Sequence, residues 1–272
     1  MPLALITNDD GIASPGLHAL ARGARDAGYD VVVAAPATDA SGAGGSVRSV
    51  TDDGHTPVEE PSIAELDGIP AFAVAGDPAF IVRAAGQGWF RREPDVVLSG
   101  INVGANTGGQ VLHSGTVGAV LAGSLNGWSG IALSLACGLG LPERPHWETV
   151  TGLLPDLLGR LAARPAGTAW TVNVPDVGAG ELPPLREAEL CATGAVRVRI
   201  SERAPERGPD GVRPAGLRAL VSEEHGEALP GTDVALLAAG HPTVTELTPI
   251  GSRTGVTGYP DAAAAPSGDS VR

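Results

Sequence analysis

The sequence predicts an α/β fold: a Rossmann-like, doubly wound, mostly parallel sheet followed by a C-terminal β-hairpin arm. Short apolar runs alternate with segments of helical spacing over the first 175 or so residues, and polar, glycine-rich segments follow several of the runs. Strands covered on both faces are apolar throughout, and a helix between two of them is typical of a βαβ crossover. A chain of 272 residues is long enough for one large domain with an appendage.

The elements follow in order along the chain. A strand at 3–7, a helical segment at 17–28 and a strand at 30–35 make an opening β-α-β unit. The pattern continues with predicted strands at 71–75, 95–99, 130–135 and 169–174, and with predicted helices at 78–89, 115–126 and 147–163. We expect these elements to form a core over residues 1–180.

The character of the chain changes after residue 180. Residues 196–201 alternate as a half-exposed strand does, and a stretch rich in Pro, Gly and charge separates them from a second short strand at 217–221. This pattern predicts a hairpin with a long loop, followed by a helix in 231–240 and an extended segment at 242–250. We therefore expect an arm and closing elements over 181–250, and a disordered tail over 251–272.

The charge balance excludes several classes of function. All 18 basic residues are arginines, so a P-loop lysine and a Schiff-base lysine are excluded. A net charge of −13 without basic blocks repels a polyphosphate backbone, so no nucleic-acid partner is expected. The two cysteines form no Cys-x-x-Cys motif, and the N-terminal apolar run is too short for a signal peptide or a membrane span. We expect a soluble, cytoplasmic protein without membrane contact.

Two adjacent carboxylates, Asp9 and Asp10, directly follow the first predicted strand. Ligands of open parallel sheets bind at the carboxyl ends of the strands. Neighbouring carboxylates repel each other unless a cation lies beside them, which favours a hard divalent metal. The segment Asn-Asp-Asp-Gly is equally good turn chemistry, so on its own it leaves both interpretations open.

The segment after the second strand contains Ser41, Gly42 and Gly44. Backbone N–H groups of such a loop can form an anion-binding nest, and a serine hydroxyl can join a metal shell or bind a phosphate oxygen. The alternative is an ordinary flexible Gly/Ser loop.

The segment after the fourth strand carries Asn102 and Asn106 and ends in His113-Ser114-Gly115-Thr116 before a helix. The free N–H groups and the positive dipole end of a helix N-terminus bind phosphate. Ser114 or Thr116 can take part in that binding or can act as an ordinary N-cap.

These segments resemble the SurE (survival protein E) nucleotidases, which are metal-dependent phosphatases that remove phosphate from nucleoside monophosphates. The resemblance covers about residues 3–250 and rests on five segments in family order: LITNDDGIASPGLHAL, VVAAPATDASGAGGS, PDVVLSGINVGANTGGQVLHSGTVGAVLAG, WTVNVP and GTDVALLAAGHPTVTELTPI. It implies a phosphomonoesterase of the 5′-nucleotidase type, with 3′-nucleotides as candidate further substrates.

The resemblance also implies a site. One divalent ion per subunit, Mg²⁺ or Mn²⁺, would be held by Asp9, Asp10, Ser41 and Asn102. Phosphate would be bound by Ser41, Gly42, Gly44, Asn106, His113, Ser114, Gly115 and Thr116, and the catalytic residues would be Asp9, Asp10, Asn106 and Ser114. An all-oxygen ligand set suits Mg²⁺ or Mn²⁺. Family members assemble through their C-terminal segments, which implies a homodimer or homotetramer through 181–250.

Two chemical routes stay open at this point. A metal-oriented water can attack the phosphorus in line, with Asp9 or Asp10 accepting its proton. The rival route forms a covalent aspartyl-phosphate.

Four departures from the family pattern bear on the substrate. His113 stands where the family usually has Tyr, Asp77 where it has Thr, Ala122 where Glu is common, and the arm lacks the expected Tyr and Trp. His113 can protonate a leaving alkoxide or simply replace an aromatic ring on the pocket wall. The alternative functions are a pathway phosphatase acting on a nucleotide-like or sugar-phosphate metabolite, and a non-catalytic nucleotide-binding protein.

Overall fold

A nine-stranded, mostly parallel sheet with helices on both faces forms the centre of the computed structural model. The structure describes residues 1–138, 140–192, 196–203, 206–208, 211–213, 216–223 and 229–248. The strands are β1 (Leu3–Thr7), β2 (Asp30–Pro36), β3 (Val58–Glu59), β4 (Ala71–Val74), β5 (Val96–Val103), β6 (Ser129–Ala136), β7 (Ala169–Pro175), β8 (Arg186–Glu187), β9 (Val196–Arg203), β10 (Glu206–Gly208), β11 (Gly211–Arg213), β12 (Gly216–Glu223) and β13 (Thr243–Leu247). The helices are α1 (Pro15–Asp26), α2 (Pro78–Gly86), α3 (Gly115–Leu125), α4 (Trp147–Thr151), α5 (Leu154–Leu161) and α6 (Asp233–Ala238).

The strand order in the main sheet is β3-β4-β2-β1-β5-β6-β7-β13-β8. The central strands β4, β2, β1, β5, β6 and β7 run parallel, whereas β3 and β13 pair antiparallel with β4 and β7. Residues 4–6 of β1 are completely buried because helices cover both faces of the sheet. The predicted fold class is confirmed, and the carboxyl ends of β1, β2, β5, β6 and β7 share one edge.

Separate apolar clusters cover the two faces of the sheet. On one face, Leu17 and Leu20 of α1 and Leu154 of α5 pack against the strands. On the other face, Ile81 of α2 and Ala119 of α3 do so. The helices stabilise the sheet on both sides and hold the loops at its carboxyl edge in place.

Two predicted elements differ from the structure. The single helix expected over 147–163 is wrong: α4 ends at Thr151 and α5 starts at Leu154, because Pro155 in the first turn of α5 has no N–H group to continue a helix. The strand expected to end at residue 99 continues to Val103, since the pairing of β5 with β6 shifts register between Ser99 and Asn102. Asn102 therefore lies on a strand and not on a loop.

The C-terminal part of the chain contributes both the hairpin arm and a strand of the main sheet. β9 and β12 pair antiparallel, which confirms the predicted hairpin, and the expected long loop between them contains the short pair β10–β11. The extended segment predicted near 242–250 is β13, which lies beside β7 in the main sheet. The predicted tail, 251–272, lies outside the described residues. Within the described ranges, no helix is both long and apolar enough to cross a membrane.

Candidate metal and phosphate site

A cavity of about 510 Å³ lies at the carboxyl edge of the sheet. Seven of the predicted site residues line it: Asp9, Ser41, Gly42, Asn102, Asn106, His113 and Ser114. Its remaining walls come from the end of β5 and the segment after it, the end of β6 and the segment after it, and α6: Val103, Gly104, Ala105, Gln110, Ala136, Gly138, Gly140, Val234, Leu237 and Ala238. The other predicted residues, Asp10, Gly44, Gly115 and Thr116, are not among the residues that line it.

The N-terminus of α3 holds the carboxylate of Asp9. The Gly115 N–H donates to Oδ2 of Asp9 at 3.0 Å, and the Thr116 hydroxyl donates to Oδ1 at 2.5 Å. Burial raises the pKa of Asp9, and these hydrogen bonds oppose that effect. Gly115 has to lack a side chain, because its Cβ would lie 2.8 Å from the Cβ of Asp9. In this structure Gly115 and Thr116 position Asp9, and Thr116 is fully buried.

Asp10 is a carboxylate without sufficient compensation for its charge. Its Oδ2 is buried and has no hydrogen-bond partner in the described part of the chain. Burial, and then the neighbouring charge of Asp9, raise the pKa of Asp10 to about 7 despite a hydrogen bond from the backbone of Val103. A cation next to Oδ2 would compensate both effects. The residues present therefore fit a metal ion at this point.

Asn102 is oriented so that its amide oxygen can bind an ion. Its Nδ2 donates to the Gly104 carbonyl at 2.7 Å, which assigns the other amide atom, Oδ1, as the free acceptor. The strand reaches this position through Gly100, whose φ is +132° and whose Cβ would lie 2.2 Å from the Leu133 carbonyl oxygen. Only glycine fits that approach.

The Ser41 loop packs against the start of α3. The Gly44 N–H donates to the His113 carbonyl at 3.1 Å, and a Cβ on Gly118 would lie 2.1 Å from the Gly44 carbonyl oxygen. The N–H of Gly44 is thus bound to the protein, and Gly42 is the glycine of this loop that faces the cavity. The contact brings Ser41 to the same cavity as Asp9 and Asn102.

Ser114 combines the two roles considered for it. Its Oγ accepts a hydrogen bond from the Val117 N–H at 3.1 Å, which confirms it as the N-cap of α3. Because the oxygen serves as the acceptor, the hydroxyl proton can be donated to a ligand in the cavity.

Two buried side chains that the sequence pattern did not indicate, Asn173 and Asp233, position the site. Asn173 on β7 accepts from the Asn106 N–H at 2.8 Å and donates to the Asn106 carbonyl at 3.0 Å. The Asn106 side chain in turn donates to the Ser134 hydroxyl at 2.9 Å. A buried Asn inside the apolar strand WTVNVP is the one signal in the sequence for this pairing.

Asp233, at the start of α6, connects three segments. Its Oδ2 accepts from the Gly108 N–H at 2.7 Å, and its Oδ1 accepts from the Cys191 N–H at 2.9 Å. The carboxylate is completely buried. It fixes the wall formed by Val234 and Leu237 against the loop that carries Asn106.

The cavity contains little positive charge. Among the residues that the structure describes, His113 and Asp9 are its only titratable lining groups, and no arginine lines it. Over the same residues, no group of three or more His, Cys, Asp and Glu side chains is placed to hold a metal ion. An ion here would therefore need the hydroxyl and amide oxygens of Ser41 and Asn102 in addition to the two carboxylates.

Comparisons with known proteins identify the family of the chain. The family model described as Survival protein SurE matches residues 4–199. A protein named 5′-nucleotidase SurE from Stenotrophomonas maltophilia (strain K279a) is 34% identical over 247 residues, which cover 89% of this chain and 88% of that protein. Its namesake from Xanthomonas euvesicatoria pv. vesicatoria (strain 85-10) is 32% identical over 250 residues, with the same coverage.

A solved structure gives the same picture. The crystal structure of the SurE protein from Aquifex aeolicus superposes with a TM-score of 0.67 at 27% identity, covering 90% of this chain and 93% of that chain. The match of the family model to residues 4–199, together with these relatives, shows that the chain belongs to the SurE family.

Proposed function

We propose that this chain is a divalent-metal-dependent phosphomonoesterase of the 5′-nucleotidase type that hydrolyses nucleoside monophosphates to nucleoside and phosphate. The proposal rests on the buried, unpartnered Oδ2 of Asp10, which follows Asp9 in the chain, and on the cavity that Asp9 lines together with hydroxyl and amide side chains. The names of the relatives, 5′-nucleotidase SurE, support the reaction class.

The ion would be held by Asp9, Asp10, Ser41 and Asn102. When bound, one Mg²⁺ or Mn²⁺ would neutralise the carboxylates and stabilise the negative charge on the phosphate. This contribution is needed because a protein of net charge −13 offers no general attraction to a phosphate dianion.

The phosphate oxygens would be bound by neutral donors. The Ser114 hydroxyl can donate its proton to a phosphate oxygen while its oxygen caps α3, and the Asn106 residue is fixed by Asn173 and Ser134. Groups that are already oriented need no reorganisation when charge develops on the phosphoryl oxygens. The dipole of α3 adds partial positive charge at the same place.

Asp9 or Asp10 would accept the proton of the attacking water. Both carboxylate oxygens of Asp9 already receive hydrogen bonds, from Gly115 and Thr116. The unpartnered Oδ2 of Asp10 is the oxygen assigned to the ion. Direct attack by water inverts the configuration at an isotopically chiral phosphate. Net retention would instead establish the covalent aspartyl-phosphate route.

His113 lies on the cavity wall, where it can protonate the leaving alkoxide. Replacing it by Gln should slow the hydrolysis of AMP at least tenfold. The rate of p-nitrophenyl phosphate hydrolysis should hardly change, because p-nitrophenolate leaves without being protonated. The matched variant His113→Tyr restores the aromatic wall without the acid. If His113→Tyr hydrolyses AMP as fast as the parent chain, His113 serves only as part of the wall.

The substrate class can be measured with a panel of esters. Phosphate release from 5′- and 3′-nucleoside monophosphates and from sugar phosphates, with and without Mn²⁺, should show the highest kcat/KM for a 5′-nucleotide. A preference for a sugar phosphate would favour the pathway phosphatase. Binding of AMP without turnover of any ester would overturn the proposal and favour a non-catalytic nucleotide-binding protein.

The hairpin β9–β12 is proposed to mediate a homodimer or homotetramer. Its Ile200 and Leu217 side chains are 64% and 75% exposed, which leaves apolar surface to be covered. Deleting residues 196–223 and joining the ends with a short Gly/Ser linker should reduce the mass measured by light scattering to that of a monomer. An unchanged mass would contradict this role.

A further inference from the structure

A second cavity, of about 500 Å³, lies on the side of the sheet that carries α1, and shares no lining residue with the first. Its walls are the loop that starts α1, the side chains of His18 and Arg22, the segment 61–65 and Trp147. The first wall includes Ile12 and Ala13, which directly follow the Asp9–Gly11 turn. A cavity of this size is suited to a small organic molecule.

Its apolar walls favour a flat ring. The half-buried indole of Trp147 forms one side, and Pro15, Pro61 and Ile63 contribute further apolar surface. Aromatic faces bind planar heteroaromatic rings by stacking. The indole is held in place against Gly16, whose Cβ would lie 3.2 Å from the Trp147 ring and 2.2 Å from the Ile101 carbonyl oxygen.

His18 lines this cavity and has one ring nitrogen left as an acceptor. Its side chain is only 7% exposed, and its Nε2 lies 2.8 Å from the Ile12 carbonyl oxygen. A carbonyl only accepts, so Nε2 carries the hydrogen, and Nδ1 of the uncharged ring is left as an acceptor. Within the described residues, Nδ1 has no hydrogen-bond partner, and His18 lines the cavity. A ligand with an N–H or O–H group would satisfy it.

The charged lining groups balance each other. The Arg22 Nη1 donates to the Glu65 carbonyl at 3.2 Å, which leaves other N–H groups of the guanidinium for a ligand acceptor. Glu65 also lines the same cavity, and its negative charge equals the positive charge of Arg22. In a chain of net charge −13 this balance disfavours an anion and favours an uncharged ligand with both donors and acceptors.

We propose that this cavity is a second, non-catalytic binding site for an uncharged nucleoside. A purine nucleoside has a flat ring for Trp147, an amino group for Nδ1 of His18 and ring nitrogens that can accept from Arg22. The site is independent of the phosphate chemistry proposed above, since none of its lining residues belongs to the first cavity.

The test uses the full chain and adenosine as the probe, in excess EDTA. Equilibrium dialysis measures the bound adenosine per chain for the parent chain and for Ser62→Trp, in which a large side chain at an exposed lining position fills the cavity. The matched control is Glu60→Trp, which adds the same side chain at an exposed position outside the lining. Thermal melting checks that each variant folds, and Ala64→Trp replaces Ser62→Trp if it does not.

The expected result is saturable adenosine binding by the parent chain and by Glu60→Trp, with at least a tenfold loss of affinity in Ser62→Trp. The extra charge of AMP should weaken binding at this site at least tenfold relative to adenosine. Equal adenosine affinity in all three chains, or no saturable binding by the parent chain, would overturn the proposal. Phosphate release with Mn²⁺ is measured separately, so failure of this site and failure of the proposed reaction are distinguishable.

Discussion

The substitution Asp10→Asn should stabilise the metal-free protein, although Asp10 belongs to the proposed catalytic site. The reason is the cost of holding a second carboxylate, partly buried, next to Asp9. A neutral amide of almost the same shape keeps the packing and removes the charge. Stability and metal binding should therefore respond to this substitution in opposite directions.

The size of the effect follows from the pKa of Asp10. An acid with a pKa of 3.8 in the unfolded chain and about 7 in the folded chain binds more protons when folded, so stability falls as the pH rises between these values and is level above them. The destabilisation is about 2 kcal/mol at pH 5 and about 4 kcal/mol at pH 8. Asp10→Asn should remove this difference between the two pH values.

Urea unfolding of EDTA-dialysed protein at pH 5 and pH 8 measures the free energy of unfolding at each pH and its change between them. Asp67→Asn, at an exposed carboxylate, is the control and should alter neither the free energy of unfolding nor its pH dependence. Mn²⁺ at a hundred times its dissociation constant should stabilise the parent chain by about 2.7 kcal/mol, and Asp10→Asn much less. A metal-free Asp10→Asn variant that is less stable than the parent at pH 8 would refute the argument.

Two further predictions concern the Thr116 hydroxyl that binds Asp9 and the helix glycines Gly118 and Gly159. Thr116→Val removes the hydroxyl that binds Asp9 and should raise the Mn²⁺ concentration for half-maximal phosphate release about tenfold. This factor is the one expected for the loss of one hydrogen bond to a charged group. An unchanged Mn²⁺ requirement would contradict this role of Thr116. Gly118→Ala should lower the free energy of unfolding by about 1–3 kcal/mol through its contact with Gly44. Gly159→Ala lies on α5, where a Cβ meets open space, and should raise the free energy of unfolding by up to about 1 kcal/mol. Urea unfolding measures both variants, and a change of the same sign in both would contradict the role given to the Gly118 contact.

The sequence is sufficient to predict the sheet and the first cavity, because both depend on local patterns. Apolar runs determine the strands, and the polar residues that follow parallel strands must meet at one edge of the sheet. For this reason Asp9, Ser41, Asn102 and Ser114 can be assigned to one site from the sequence alone, and all four line the cavity.

The interactions that hold these residues in place cannot be predicted from local sequence patterns. The family resemblance implies phosphate binding for Thr116, whereas its hydroxyl binds Asp9, 107 residues earlier in the chain. Asp233 binds Gly108 across 125 residues. Both partnerships depend on how α3 and α6 pack onto the sheet, and neither residue differs in type from an ordinary helix-capping residue. The strand position of Asn102 likewise results from a register shift that depends on pairing with β6.

A divalent ion held by Asp9 and Asp10 is essential to the proposed reaction, so phosphate release should depend on it. AMP hydrolysis is measured in the parent chain after removal of metal with EDTA, after gel filtration into metal-free buffer, and after addition of Mn²⁺ or Mg²⁺. We expect no turnover without added metal, recovery when the metal is restored, and no recovery in Asp10→Asn. Undiminished turnover by the metal-free parent chain would contradict this expectation.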